Sequence, residues 1–342
     1  MIDLKKLVRP NILELEQYSS ARDEFSGKEG VFLDANENPF GKLNRYPDPY
    51  QVELKSKLEK IKGIKSSSIF IGNGSDEVID LAFRIFCNPG KDKALTFTPT
   101  YGMYDVSAAI NQVEILKIPL NKDFQIEVDK IDPLLEDEKL KLIFICSTNN
   151  PTGNSILKKD ILTILEKFRG IVIIDEAYID FSESESLISL LKEYPNLIIS
   201  QTFSKAWGLA AARVGVAYSS ESITSLFNKV KPPYNVSKTN QFSVIEALEN
   251  IDELKKNIKF ILEEKELIQT EIVQLPFVKK IYPSDANFLL IEVKDANLLY
   301  NQLIEQKIII RNRDKQIKNT VRITIGSKRE NKLLLNALKN IK

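Results

Sequence analysis

Two apolar runs constrain this chain more than anything else in it. Residues 139–146 read KLKLIFIC and residues 170–175 read GIVIID, and each holds an unbroken apolar run, 142–146 in the first and 171–174 in the second. Such runs suit strands buried on both faces of a parallel sheet, since a strand with one wet face would alternate polar with apolar. A helical pattern over about 158–168 separates them. The same alternation continues on either side. Strands are expected at 67–72, 92–98, 112–118, 196–202 and 213–219, with helices over about 50–62, after residue 75 and near 99–104. Strand–helix alternation over roughly 150 residues predicts an α/β unit whose mostly parallel central sheet is flanked by helices.

Ligands in such sheets bind beyond the carboxyl ends of the strands. Four polar turns fall there: NGSDE (73–77), NNPTG (149–153), DEAY (175–178) and TFSK (202–205). The first follows a strand and opens a helix, so Gly74, Ser75 and Asp76 offer backbone N–H groups and a hydroxyl to an anion. A simple N-cap by Ser75 or Asp76 would use the same residues. A dinucleotide fingerprint would need a third glycine where Glu77 stands.

Residues 200–215, SQTFSKAWGLAAARVG, combine hydroxyls, one lysine, small residues and an arginine. Thr202, Ser204 and Arg213 can donate to a phosphate, and Lys205 beside them suits an aldehyde cofactor held as a Schiff base. A glycine–alanine turn with a solvated lysine would read the same way. Asp175 ends the most apolar strand, where a carboxylate is costly without a partner. A protonated pyridine nitrogen would be such a partner. Tyr178 and Asn150 lie close enough in the expected sheet to reach the ring's phenolic oxygen, and Tyr101 can stack on the ring face.

Elsewhere the pattern changes. Residues 31–49 are rich in Asn, Asp, Pro and Gly, the composition of an irregular surface segment; Asn38 and Tyr46 are its candidate binding residues. A short helix is expected to start within YSSARDE (18–24). Past Lys231-Pro232-Pro233 the alternation stops. One long amphipathic helix is expected from about Thr239 to Glu271, then strands at 286–293, 307–312 and 320–326 and helices near 295–306 and 328–340. The expected organisation is an N-terminal arm (1–33) packing with the small domain, a large cofactor-binding α/β domain (34–235) and a smaller α+β C-terminal domain (236–342).

Totals exclude whole classes of function. The chain has no histidine, so Ser-His-Asp triads, Cys-His pairs and histidine-bound metals are out, and no metal is expected. Acid–base work falls to lysine, tyrosine, aspartate, glutamate or a cofactor. The 48 basic and 47 acidic residues leave a formal charge of +1, which argues against a nucleic-acid surface. Two cysteines, Cys87 and Cys146, stand far apart and fit a reducing compartment. No apolar run reaches the ~20 residues a bilayer requires. A cytoplasmic protein with no membrane partner is expected.

In order and spacing, LDANENPFG (33–41), RYPDP (45–49), GNGSDE (72–77), PTYGMY (99–104), NNPTG (149–153), DEAYIDF (175–181), TFSKAWGLAAARVG (202–215) and VRITIG (321–326) resemble the fold-type-I pyridoxal-phosphate aminotransferases. DANENP, PTYGMY and DEAYIDF favour the histidinol-phosphate branch. The resemblance implies pyridoxal 5'-phosphate as cofactor and histidinol phosphate with glutamate or 2-oxoglutarate as substrates. Residue by residue it implies that Lys205 binds the aldehyde and moves the proton, and that Asp175 pairs with the ring nitrogen. Tyr178 and Asn150 would hold the ring oxygen and Tyr101 would stack on the ring. Gly74, Ser75, Asp76, Thr202, Ser204 and Arg213 would surround the phosphate. Tyr46 would reach the partner subunit's cofactor, which implies a homodimer with shared active sites. Arg322 would grip a carboxylate and, with Arg311 and Tyr18, the substrate phosphate; Asn38 joins this substrate group. Arg313 stands two residues after Arg311 and competes with it for that place. Thr148 stands where the family has proline, a change that bears on the turn and not on the chemistry. An aromatic aminotransferase or a threonine-phosphate decarboxylase would use the same scaffold.

Overall fold

The computed structural model describes residues 3–18 and 30–341. The helix expected to start within residues 18–24 falls largely outside them. In chain order the elements are α1 (Leu4–Leu7), α2 (Pro10–Glu14), α3 (Val52–Lys62), β1 (Ile69–Asn73), α4 (Ser75–Phe86), β2 (Lys93–Thr98), α5 (Met103–Ile110), β3 (Glu114–Pro119), β4 (Leu140–Cys146), α6 (Lys158–Lys167), β5 (Ile171–Asp175), β6 (Leu197–Thr202), β7 (Val214–Ser219), α7 (Glu221–Val230), α8 (Lys238–Glu249) and α9 (Ile251–Ile272). They continue with β8 (Val278–Ile281), β9 (Phe288–Val293), α10 (Ala296–Glu305), β10 (Arg311–Asn312), β11 (Thr320–Thr324) and α11 (Lys328–Lys339).

The large sheet has the order β1-β7-β6-β5-β4-β2-β3. The pairs among β6, β5, β4, β2 and β3 are parallel; β7 alone runs against both its neighbours. The central strands are buried on both faces because helices cover both. Alternate residues go opposite ways. Ile143, Ile145, Val172, Ile174, Leu197 and Ile199 join one core with Leu54 and Leu58 of α3 and Ile161 of α6. Leu142, Phe144, Ile171, Ile173 and Ile198 join the other with α4 and α7. This is the period-two side-chain alternation of a strand written in residues that are apolar on both faces.

The arm sits differently from expectation. Val8 and Ile12 are buried in that second core, and Arg9 N–H donates to Ile85 O at 3.0 Å. The described arm residues therefore pack on the large sheet's helices, not on the small sheet. The reason lies in α4 and α7, whose outer apolar side chains accept Leu4, Leu7, Val8 and Ile12.

The small sheet, order β10-β11-β9-β8, is antiparallel throughout. Three expectations need correction here and just before it. The single long helix is two helices, α8 and α9. Asn250 breaks them with φ −113° and ψ 42°, and its Nδ2 donates to Glu246 O at 2.9 Å. An asparagine side chain bonded to nearby backbone competes with the helix while the apolar stripe runs on unbroken. Of residues 307–312, only Arg311 and Asn312 enter the ladder; Lys307 takes a positive φ of 61° and Ile308 N–H donates back to Leu303 O at 2.9 Å, so the start of this stretch closes α10. Finally, β8 and α7 lie in stretches from which the sequence predicts no element. Helix α7 starts at Ser220, whose side chain accepts from Ile223 N–H.

Candidate active site

The parallel strands deliver their turns to one edge. Cys146, Asp175 and Ser200 are register partners across β4, β5 and β6. Thr202 pairs with Gly215, and Asn73 pairs with Val214, so the ends of β6 and β1 flank the start of β7. At this edge opens a cavity of about 640 Å³. Its walls include Ser75, Asp76, Tyr101, Asn150, Asp175, Tyr178, Thr202, Ser204, Lys205, Arg213, Arg311, Arg313 and Arg322.

One end is built for an anion. Gly74 holds φ 78° at the start of α4, and no side chain caps that helix. Ser75 and Asp76 lie in its first turn and not at the cap position. Strand β7 comes very close: a Cβ on Gly215 would meet Ser75 N at 2.2 Å. Only glycine permits that approach. Asn235 Nδ2 donates to Ile71 O at 2.9 Å and to Glu77 Oε2 at 2.8 Å, and Glu77 also accepts from Asn73 N–H. These bonds fix the turn. Arg213 reaches across from β7, 3.5 Å from Asp76 Oδ2 and 3.5 Å from Ser204 Oγ. The result is a helix N-terminus, two hydroxyls and a guanidinium around one corner of the cavity.

The floor holds an acid in an unusual setting. Asp175 is buried, and burial raises its carboxyl above the ordinary range despite bonds from Tyr104 and Ala177 and the charge of Lys205. Oδ2 accepts from Tyr104 OH at 2.8 Å and Oδ1 from Ala177 N–H at 3.1 Å. Glu176, its neighbour, braces the backbone instead. It accepts from Ser186, Leu187 and Gln201 and pins the following segment to β6. Lys205 faces the cavity with its Nζ 5.6 Å from the Tyr178 ring centroid. Its amine is lowered first by desolvation and then by the charge of Arg322, against the pull of Asp175 and Asp76. Burial pushes the Tyr178 phenol up to about 12. Tyr101 lines the wall and donates to Asp76 Oδ1 at 3.0 Å.

The far wall is cationic. Arg311 and Arg322 are register partners of β10 and β11. Arg322 and Arg313 both donate to Asn150 Oδ1, the latter at 3.4 Å. Burial and the charges of Arg322 and Arg311 bring Arg313 down to about 10. The Nε atoms of Arg313 and Arg322 are buried without a partner. Both Arg311 and Arg313 thus face the cavity, and Arg313 is the deeper. The turn bearing Thr148 carries cis peptide bonds at Ser147–Thr148 and Asn150–Pro151.

Three predicted residues lie elsewhere in the single chain. Tyr46 stacks on Tyr234 with centroids 4.4 Å apart and lines a separate cavity with Arg45 and Lys238. Asn38 is exposed, and its side chain accepts from Phe40 N–H at 2.9 Å. Tyr18 is exposed beside Tyr50 and Lys229. The Asn-Pro-rich segment that carries Asn38 runs over the surface, so neither Tyr18 nor Asn38 reaches this chain's own cavity. Tyr104 is a member of the site that the sequence did not assign, and the choice the sequence left open between Arg311 and Arg313 resolves to both. Tyr104 stands in PTYGMY, but nothing local shows that it meets an acid 71 positions away.

The model of aminotransferase class I and II matches residues 24–338. A histidinol-phosphate aminotransferase from Christiangramia forsetii is 52% identical over 99% of this chain and 98% of its own. The chain belongs to the histidinol-phosphate aminotransferase family, within aminotransferase class I and II. This aminotransferase is also similar to the solved histidinol-phosphate aminotransferase of Clostridium acetobutylicum, at TM-score 0.79 and 26% identity, covering 87% of this chain and 90% of that one. A Sinorhizobium meliloti structure described as a complex with pyridoxal-5'-phosphate shares the fold at TM-score 0.80 and 24% identity, covering 89% and 88%.

Proposed function

We propose that this pyridoxal-phosphate-dependent aminotransferase moves the amino group of L-histidinol phosphate to 2-oxoglutarate, giving imidazole-acetol phosphate and glutamate in histidine biosynthesis. The observation that carries the reading is the cavity itself. A buried acid, a partly desolvated lysine, an anion cradle and three further arginines share one space.

Those residues fit pyridoxal phosphate. The Gly74–Asp76 turn, Thr202, Ser204 and Arg213 suit its phosphate. Asp175 suits a protonated ring nitrogen, since a cation beside it relieves the cost of a buried charge. Tyr101 covers a ring face, and Tyr178 with Asn150 serves the ring oxygen. When bound, the cofactor supplies an electron sink for the charge left as the donor's Cα loses its proton.

The chain's own residues do the rest. Lys205 Nζ would anchor the cofactor and would take the proton from the donor's Cα; its lowered amine favours the neutral form this needs. Arg322 grips the carboxylate of glutamate, and Arg311 and Arg313 join it on the phosphate of the other substrate. Both anions thereby use one cationic wall in turn, as a ping-pong enzyme requires. Tyr18 and Asn38 remain proposed substrate contacts only through a second subunit.

We read the enzyme as a homodimer with shared active sites, acting in the cytoplasm. Tyr46 lies outside its own chain's cavity, on a segment whose Val31, Leu33 and Phe40 are each more than 80% exposed. Large apolar side chains so placed mark an interface. Two unpaired cysteines, Cys87 and Cys146, fit a reducing compartment.

The test is product analysis. Histidinol phosphate with 2-oxoglutarate gives glutamate with no carbon dioxide, and the Lys205→Ala protein gives none while still retaining cofactor non-covalently. Carbon dioxide release from threonine phosphate, or turnover by Lys205→Ala at the wild-type rate, would overturn the reading.

A further inference from the structure

The acid at the cavity floor has a second tyrosine behind it. Tyr104 sits in the first turn of α5 and is fully buried, and it is not among the residues that line the cavity. Its ring stacks on Phe144 of β4 at 4.9 Å and 20° and meets Tyr101 edge-on at 5.7 Å. Its hydroxyl donates to Asp175 Oδ2 at 2.8 Å. Phenylalanine would fill the same volume and make the same ring contacts. Packing therefore does not call for the hydroxyl, and an unpartnered buried hydroxyl is costly. What the hydroxyl adds is one donor aimed at one carboxylate oxygen.

That donor has a geometric consequence. Asp175 is held from two sides, at Oδ1 by Ala177 N–H and at Oδ2 by Tyr104 OH. Two fixed donors set the plane of the carboxylate and leave its remaining lone pairs toward the cavity. Both donors also favour the ionised form against the burial that opposes it. Cys146, the register partner of Asp175, adds no competing charge: burial holds its thiol up at about 12, so it stays neutral, donating to Thr148 O at 3.6 Å while Tyr104 OH also lies within its hydrogen-bonding reach.

We propose that Tyr104 is a positioning residue for the aminotransferase reaction, its buried hydroxyl fixing Asp175 ionised and turned toward the ring nitrogen of the bound cofactor. Tyr104 touches neither cofactor nor substrate and acts through the acid. The inference builds on the assignment of Asp175 made under Proposed function. The residue pair predicts a particular pattern of non-additivity, because a residue that works only through Asp175 has nothing to act on once the carboxylate is gone.

The experiment compares the wild type with four variants, Tyr104→Phe, Tyr104→His, Asp175→Asn and the double Tyr104→Phe/Asp175→Asn substitution, as apo form for binding and as holoenzyme for kinetics. Cofactor affinity is read by spectral titration of the apo form, and kcat and KM are read with histidinol phosphate and 2-oxoglutarate. Tyr104→Phe is expected to weaken cofactor binding and to lower kcat by about 10- to 100-fold, the range for a hydrogen bond to a charged group, with both KM values within about 3-fold. On the Asp175→Asn background the same change is expected to cost less than about 3-fold. Tyr104→His, which keeps an N–H donor, recovers part of the loss, and it serves as the comparison if the phenylalanine protein folds poorly. An equal cost of Tyr104→Phe on both backgrounds would show a merely structural role and overturn the proposal. So would wild-type behaviour of Tyr104→Phe beside a crippled Asp175→Asn, an outcome that leaves the Asp175 assignment standing. Full activity and affinity of Asp175→Asn itself would sink that assignment, and this proposal with it.

Discussion

Lys205 and Asp175 are displaced in opposite directions by one cause. Burial favours the neutral form of each, so the amine falls and the carboxyl rises. For a lysine with a lowered value the reactive amine is fully present above that value and is lost as pH falls through it. The rate at which pyridoxal phosphate becomes attached to apoenzyme, trapped by borohydride, should therefore rise to half its plateau below the ordinary 10.5. A midpoint at or above that value would mean that Lys205 is an ordinary surface lysine. The arginines give a second residue-scale prediction. Each carboxylate of 2-oxoglutarate carries one charge and can be held by a single guanidinium such as that of Arg322, whereas a phosphate places two charges on one group and suits more than one. Arg313→Gln should raise KM for histidinol phosphate by about 10- to 100-fold and leave that for 2-oxoglutarate within about 3-fold. Equal changes for both substrates would remove Arg313 from the phosphate's side of the wall. Which residues line the cavity was largely legible because most of them sit in turns with their own chemistry. Tyr104 and Asn235 were not legible, since their partners Asp175 and Glu77 lie far off in sequence.

At the scale of elements, the cradle depends on how closely β7 meets the start of α4. A Cβ on Gly215 would lie 2.2 Å from Ser75 N and 2.4 Å from Gly74 C, both backbone atoms with no rotamer to escape into. Gly215→Ala should therefore push α4 off the strand, cost about 1–3 kcal/mol of stability and weaken cofactor binding. Thermal melts and spectral titration read both; an alanine variant with unchanged affinity would show that the close approach does not shape the anion corner. The strands were readable because residues buried on both faces leave an uninterrupted apolar run. The break between α8 and α9 was not, because Asn250 ends one helix through its own side chain while the stripe continues. Strand β8 escaped because VKKI carries two lysines and shows little apolar character.

At the scale of the whole molecule, Tyr46 is the informative residue. It stands on one chain's surface segment and faces a different cavity from Lys205. If sites are shared, a Lys205→Ala chain and a Tyr46→Ala chain damage the same site of a mixed dimer and leave the other intact. At limiting cofactor, mixing the two weakly active proteins and allowing subunit exchange should restore about a quarter of wild-type activity, since half the dimers are hybrids with one intact site. No restoration after proven exchange would place Tyr46 outside the partner's site. The seat of the arm could not be read from its own residues, because it is set by the outer faces of α4 and α7.

The central claim is that this cavity accepts an amino group from histidinol phosphate and passes it on. The direct measurement is the visible absorption of purified holoenzyme during two successive additions. Histidinol phosphate alone should bleach the band of the lysine-bound cofactor, phenylalanine at the same concentration should not, and 2-oxoglutarate should then restore it. A band that histidinol phosphate leaves untouched, or that 2-oxoglutarate fails to bring back, would contradict the account.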